Sequence, residues 1–159
     1  MTAGYAPAVD FQRADAPTLA SRALVNDPGT FSLERATGMP IAAYARRHLF
    51  DPLGIRDVAW PSGRDASGLL LRPRELLAFG ELYLHHGNGI VPASWVRLST
   101  RAHSPTYGYG WWIRPHSYSA YGYLGQVLAV YPQRDEVVLV TSSREDAKPL
   151  ELVRRIAGE

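Results

Sequence analysis

The pattern of apolar and polar positions splits the chain in two. Residues 31–100 carry mostly helical spacing, whereas residues 101–159 carry strand patterning and then one more helix. Over Arg72–His86, Leu76, Leu77, Gly80, Tyr83 and Leu84 fall on one face. Pro73 suits a first turn, and Gly87-Asn88-Gly89 ends the helix. Ile41, Tyr44, Ala45, His48 and Leu49 keep a spacing of three and four behind Pro40, predicting a second helix closed by Pro52 and Gly54. Shorter helices are expected at Thr18–Val25 and Val91–Thr100. Leu33–Thr37 is too short for an independent helix, with Gly38 as its cap. Asn26–Thr30 reads as a turn, residues 1–30 as irregular, and residues 55–70 as loop.

Beyond residue 101, Tyr109–Ile113, Gln126–Tyr131 and Glu136–Ser142 read as strands. The last two form an antiparallel hairpin across Pro132–Asp135. Pro149–Ala157 is amphipathic, with Leu150, Val153 and Ile156 on one side. Helices, then strands, then a covering helix give an α+β fold, an antiparallel sheet with flanking helices. Three strands under one helix would leave one sheet face bare and edge strands open.

The length of 159 residues suits one domain. The net charge is +2, carried by arginines spread along the chain, so a nucleic-acid partner is not expected. Cysteine is absent, which excludes disulfides, thiolate nucleophiles and Cys-ligated zinc. The first residues have neither the basic nor the apolar region of a secretory leader, and no apolar run approaches a membrane span. Nothing here fixes a compartment. His85-His86 at a helix end favours the macrodipole rather than chelation, because adjacent helical side chains diverge. His103 and His116 lack carboxylates at ligand spacing, so no metal or other cofactor is expected. Glu75 and Asp135 read as solvated or capping charges.

Several segments, weak singly, are specific in their order. They are Thr2-Ala3-Gly4, Pro28-Gly29-Thr30, Glu34-Arg35-Ala36-Thr37-Gly38, Pro52-Leu53-Gly54, Arg72-Pro73-Arg74-Glu75-Leu76, Tyr107-Gly108-Tyr109-Gly110-Trp111-Trp112 and Gly122-Tyr123-Leu124-Gly125-Gln126. Together they resemble the C-terminal part of the penicillin-recognising serine hydrolases, which include class C β-lactamases, DD-peptidases and related esterases. The resemblance implies a partial β-lactamase/transpeptidase-like fold, a single incomplete domain over residues 1–159. It also implies acyl transfer on an ester, amide or β-lactam, with a small-molecule or peptide-like acyl substrate.

In that family a Ser-x-x-Lys serine attacks the carbonyl, a Tyr-x-Asn motif assists, and a Lys/His-x-Gly strand lines the third wall. Ser-x-x-Lys does not occur here: the only lysine is Lys148, and Glu145 stands three residues before it. Tyr-x-Asn is also absent, since neither Asn26 nor Asn88 has a tyrosine two positions earlier. Ser32, the hydroxyl nearest the missing motif, has no base beside it in sequence. Tyr123-Leu124-Gly125 stands where Lys/His-x-Gly is expected. The resemblance makes Gln126 the oxyanion-hole backbone donor, and Tyr123, Gly125 and Gln126 substrate-binding. Tyr123 replaces a cationic or imidazole group with a phenol that is neutral at pH 7. Trp111 and Trp112 should point to opposite sheet faces, one into the core and the other, Trp112, lining a substrate cleft as a binding residue or packing against an absent segment.

Three expectations follow. The chain is a truncated or degenerate hydrolase without turnover, whose exposed apolar surface would let it self-associate, or it is part of a complete, active enzyme whose nucleophile lies upstream. Alternatively, it is a non-catalytic ligand-binding or regulatory module that kept the fold.

Overall fold

The computed structural model of the chain describes residues 30–60, 69–122, 125–144 and 148–158. The helix expected at Thr18–Val25, most of the turn before Thr30 and the Thr2-Ala3-Gly4 segment lie outside them.

The first described element is α1 (Thr30–Thr37), longer than the sequence pattern suggested. Its end is fixed locally. Gly38 turns with φ +67° and donates to the Glu34 carbonyl, while Thr37 Oγ1 donates to the Leu33 carbonyl. The Glu34 carboxylate accepts from the Ile41 N–H and so caps α2 (Ile41–Ala45). A wider π turn, Arg46–Phe50, continues α2. Gly54, at φ +70°, then lets the chain reverse, and Phe50 and Ile55 on either side are buried. Within the expected loop, Ala59 and Leu70 exchange two backbone hydrogen bonds.

Helix α3 (Pro73–Leu84) is held at its start by Glu75, and Arg72 N–H donates to Glu75 Oε2 at 2.8 Å. The Asp57 N–H donates to Oε1 at 3.2 Å, tying the preceding loop to the helix. Glu75 is therefore the capping charge that the sequence suggests, but it is buried rather than solvated. His85 and His86 end the helix, and α4 (Ala93–Ser99) follows.

The sheet has four antiparallel strands in the order β1 (Trp112–Ile113), β2 (Tyr118–Gly122), β3 (Gln126–Tyr131), β4 (Glu136–Val140). Strand β2 escapes sequence reading because Ser119, Ala120 and Gly122 give no run of β-branched residues. Strand β1 is shorter than Tyr109–Ile113. Gly110 sits at φ +82° and the Tyr109 N–H donates to the Ser99 carbonyl, outside the ladder.

Both faces of the sheet are covered, contrary to the expectation of one bare face. Leu128 and Val130 of β3 point toward α3, in a core with Tyr83, Trp111, Tyr118, Ala120 and the α4 residue Val96. Val127, Ala129 and Tyr131 point the other way and pack with Val138 and Val140 against Val153 and Ala157, contributed by α5 (Pro149–Ile156) and the residue after it. Buried side chains of this size each contribute about 1.5–3 kcal/mol, which makes β3 the shared wall of two half-cores. Sequence reading missed the second cover because it placed α3 among the helices without assigning it a sheet partner. Arg134 clamps the end of α5 by donating to the Ala157 carbonyl and pairing with Glu136.

Candidate functional site

The end of the β2–β3 hairpin and the start of α5 lie at the same end of the sheet. Between them opens a groove of about 420 Å³, lined on one side by Tyr121, Gly122, Gly125, Gln126 and Val127. Lys148, Pro149, Leu150, Glu151 and Arg154 line the other side. Gly122 pairs with Gln126 in the ladder, and Gly125 closes the hairpin at φ +83°, a conformation natural to glycine.

Two of the residues singled out from sequence, Gly125 and Gln126, thus sit together on the groove's lip. Tyr123, with Leu124, lies outside the described residues. Trp112 does not line the groove. It pairs with Ser119 and its ring stacks on Tyr121, which does line it, at 6.0 Å between centroids. Tyr107 meets Trp112 edge-on at 4.9 Å. The two tryptophans do diverge as strand alternation requires: Trp111 is 2% exposed in the α3-side core, while Trp112 is half-buried beside Tyr121.

The groove's lining mixes apolar surface from Val127, Pro149 and Leu150 with the polar and charged groups of Tyr121, Gln126, Lys148, Glu151 and Arg154. Lys148 and Arg154 face it, and the carboxylate among its lining residues, Glu151, is paired with Lys148 at 3.4 Å. Beneath it runs a narrow recess lined by Ser117, Ser119, Tyr121 and Tyr131, with Arg114 and Arg154 among its other walls. There Arg114 Nη2 donates to Tyr121 Oη at 3.2 Å, and Ser119 Oγ lies 3.2 Å from the same oxygen. Sequence reading missed Tyr121, Lys148 and Arg154, since the polar side of a short amphipathic helix reads as solvated surface. Only the fold brings that side to the hairpin.

The other candidates find local roles. His103 Nε2 contacts the Leu98 carbonyl at 2.9 Å, and its ring stacks on Tyr109. His85 and His86 are exposed at the α3 terminus. Among the described residues no group of three His, Asp or Glu side chains is placed to hold a metal ion, and no helix is long and apolar enough to cross a membrane. Ser32 lies in the first turn of α1.

A sequence model of the beta-lactamase family matches residues 30–158. No curated protein matches the chain. The crystal structure of a beta-lactamase from Mycobacterium bovis superimposes with a TM-score of 0.67 at 19% identity, covering 81% of this chain. The match covers 58% of that protein's chain, less than two thirds of its length. At that identity the likeness speaks for the fold.

Proposed function

The chain belongs to the beta-lactamase family, and on that premise we propose that these residues carry the flanking helices and one wall of an acyl-hydrolase site without forming an acyl-enzyme on their own. The observation that carries this reading is the lysine count. Acylation in this family requires a serine with a lysine three residues on to take up its proton, and Lys148 follows Glu145 at that spacing. A single wall does not suffice. An oxyanion hole needs two donors aimed at the developing charge, and Gln126 offers at most one. The second would come from the missing nucleophile's own N–H.

A second reading is favoured by the groove between the hairpin and α5. In it the chain is a ligand-binding module that keeps the fold without the chemistry.

The test is intact-protein mass after incubation with a fluorophosphonate probe and, separately, with a penicillin. The expected result is unmodified mass on a chain that circular dichroism shows to be folded. A stoichiometric adduct overturns the proposal, and peptide mapping would then locate the nucleophile.

A further inference from the structure

Among the described residues β4 pairs with β3 alone, in an unbroken register from Tyr131↔Glu136 to Val127↔Val140. An open strand edge is a template for another strand, and proteins commonly guard it with proline, lysine or a bulge. The run Glu136-Val137-Val138-Leu139-Val140 carries none of these. Its charged residue, Glu136, is engaged by Arg134 at 3.3 Å. Helix α5 adds an apolar stripe on the same flank of the molecule. Leu152 and Ile156 are 44% and 52% exposed and stand about one helical turn apart. At about 3.6 residues per turn they fall on the flank opposite Glu151 and Arg154. Those two line the groove with Tyr121 of β2, so Leu152 and Ile156 look the other way, past β3 toward the edge of β4. A lone added strand would satisfy the edge and leave the stripe in water. A second copy, related by a two-fold axis that passes through Val138 perpendicular to the sheet, meets both surfaces. Val138 then faces its own counterpart and Val137 faces Leu139 of the second copy, so apolar residues meet on each face of a continued antiparallel sheet. Helix α5 packs on β3 and β4 alike, which puts its axis about one strand spacing, about 4.8 Å, from that two-fold. The two copies of α5 then run about 10 Å apart, within the range of about 8–10 Å at which packed helices touch.

We propose that this chain forms a two-fold dimer in which β4 pairs antiparallel with β4 of a second copy, while Leu152 and Ile156 pack against the same two residues across the axis. The contact uses one patch on both copies and closes on itself, so it stops at two. It lies on the opposite flank of α5 from the groove and needs no nucleophile, so an acyl adduct on the chain would leave it standing.

The experiment is analytical ultracentrifugation of the full chain across a wide range of concentration, joined to amide hydrogen exchange. The mass should rise from that of the 17.6 kDa chain to twice that value and stop. Leu152→Glu combined with Ile156→Glu should weaken the dimer by at least about tenfold. Leu98→Glu, at an exposed apolar position of α4, should leave it unchanged. The amides of β4 should exchange more slowly in the parent dimer than in the double variant, whereas those of β1, at the other edge of the sheet, should not differ. Each variant is checked for fold by circular dichroism, and serine replaces glutamate at both positions if the double variant unfolds. A folded chain that stays monomeric at every concentration overturns the proposal and leaves the edge to a strand from another polypeptide. Growth past two copies overturns it, as does a dimer that the double variant does not weaken. A dimer whose β4 amides gain no protection overturns it equally.

Discussion

Gly80 meets Val137 where α3 crosses the sheet: a Cβ at position 80 would stand 2.5 Å from Val137 Cγ1 and 3.0 Å from Leu128 Cδ1. Alanine favours helix over glycine by about 1 kcal/mol, so on an exposed helix the change would stabilise. Here overpacking opposes it at about 1–3 kcal/mol, and a valine methyl cannot swing away as a long side chain could. Gly80→Ala is therefore expected to lower stability by about 1 kcal/mol net, read as a lower midpoint in urea. A midpoint at or above that of the parent would show that α3 does not sit this close to β4.

Glu75 joins two backbone N–H groups, those of Arg72 and Asp57, and its side chain is buried. Glu75→Ala leaves both donors without that acceptor at the start of α3, and should cost about 1–2 kcal/mol. The neighbouring Arg72–Asp57 ion pair is short at 2.7 Å but more than half exposed on both sides. Asp57→Asn should cost well under about 1 kcal/mol. Equal losses in the two variants would contradict the view that the cap, rather than the ion pair, fixes this junction.

The two glycines of Tyr107-Gly108-Tyr109-Gly110 have different reasons to be there. A Cβ on Gly108 would lie 2.3 Å from the Ser99 carbonyl oxygen and 2.7 Å from that of Arg101, both main chain at the end of α4. At Gly110 the space is open and only the φ of +82° favours glycine. Gly110→Ala should cost about 1–2 kcal/mol through backbone strain. Gly108→Ala should cost more, because neither carbonyl can move without displacing α4. Thermal unfolding of the pair gives the ranking, and the reverse order would refute it.

These details explain what the sequence could and could not reveal. The segments that carried the family resemblance are largely backbone devices. Glu34 caps the helix after its own, Gly54 turns the chain after the π turn, Glu75 caps α3, and Gly108 lets a loop touch α4. Such devices need one residue type at one place, so they are legible in sequence. Strand β2 was not, because Ser119, Ala120 and Gly122 among its five residues give neither a clean alternation nor a β-branched run. The α5 side of the groove was hidden for a related reason. Lys148 and Arg154 acquire meaning only from Tyr121 opposite them, a pairing set by tertiary packing and not by local spacing. Gly125 and Gln126 were singled out through resemblance, and the fold places both on the groove's lip.

Tyr118 makes the stability of the α3-side core depend on alkaline pH. Its hydroxyl donates to the Tyr83 carbonyl at 3.2 Å, and its ring meets Trp111 edge-on at 5.1 Å. Burial, and to a lesser extent the neighbouring Tyr83, push its pKa well above the ordinary phenol value near 10. A group whose pKa is raised on folding contributes stability that is full below the unfolded value and is lost as pH climbs toward the folded one. Above about pH 10 the unfolded chain sheds this proton while the folded chain keeps it. Stability should then fall by about 1.4 kcal/mol per pH unit from this group. Tyr118→Phe removes the hydrogen bond and should cost about 1 kcal/mol at pH 8, yet it also removes the titration. Urea unfolding at pH 8 and pH 11 should therefore show the variant behind at the lower pH and level with or ahead of the parent at the higher. A constant gap between the two proteins across that range would mean that the Tyr118 hydroxyl is not held protonated by the fold.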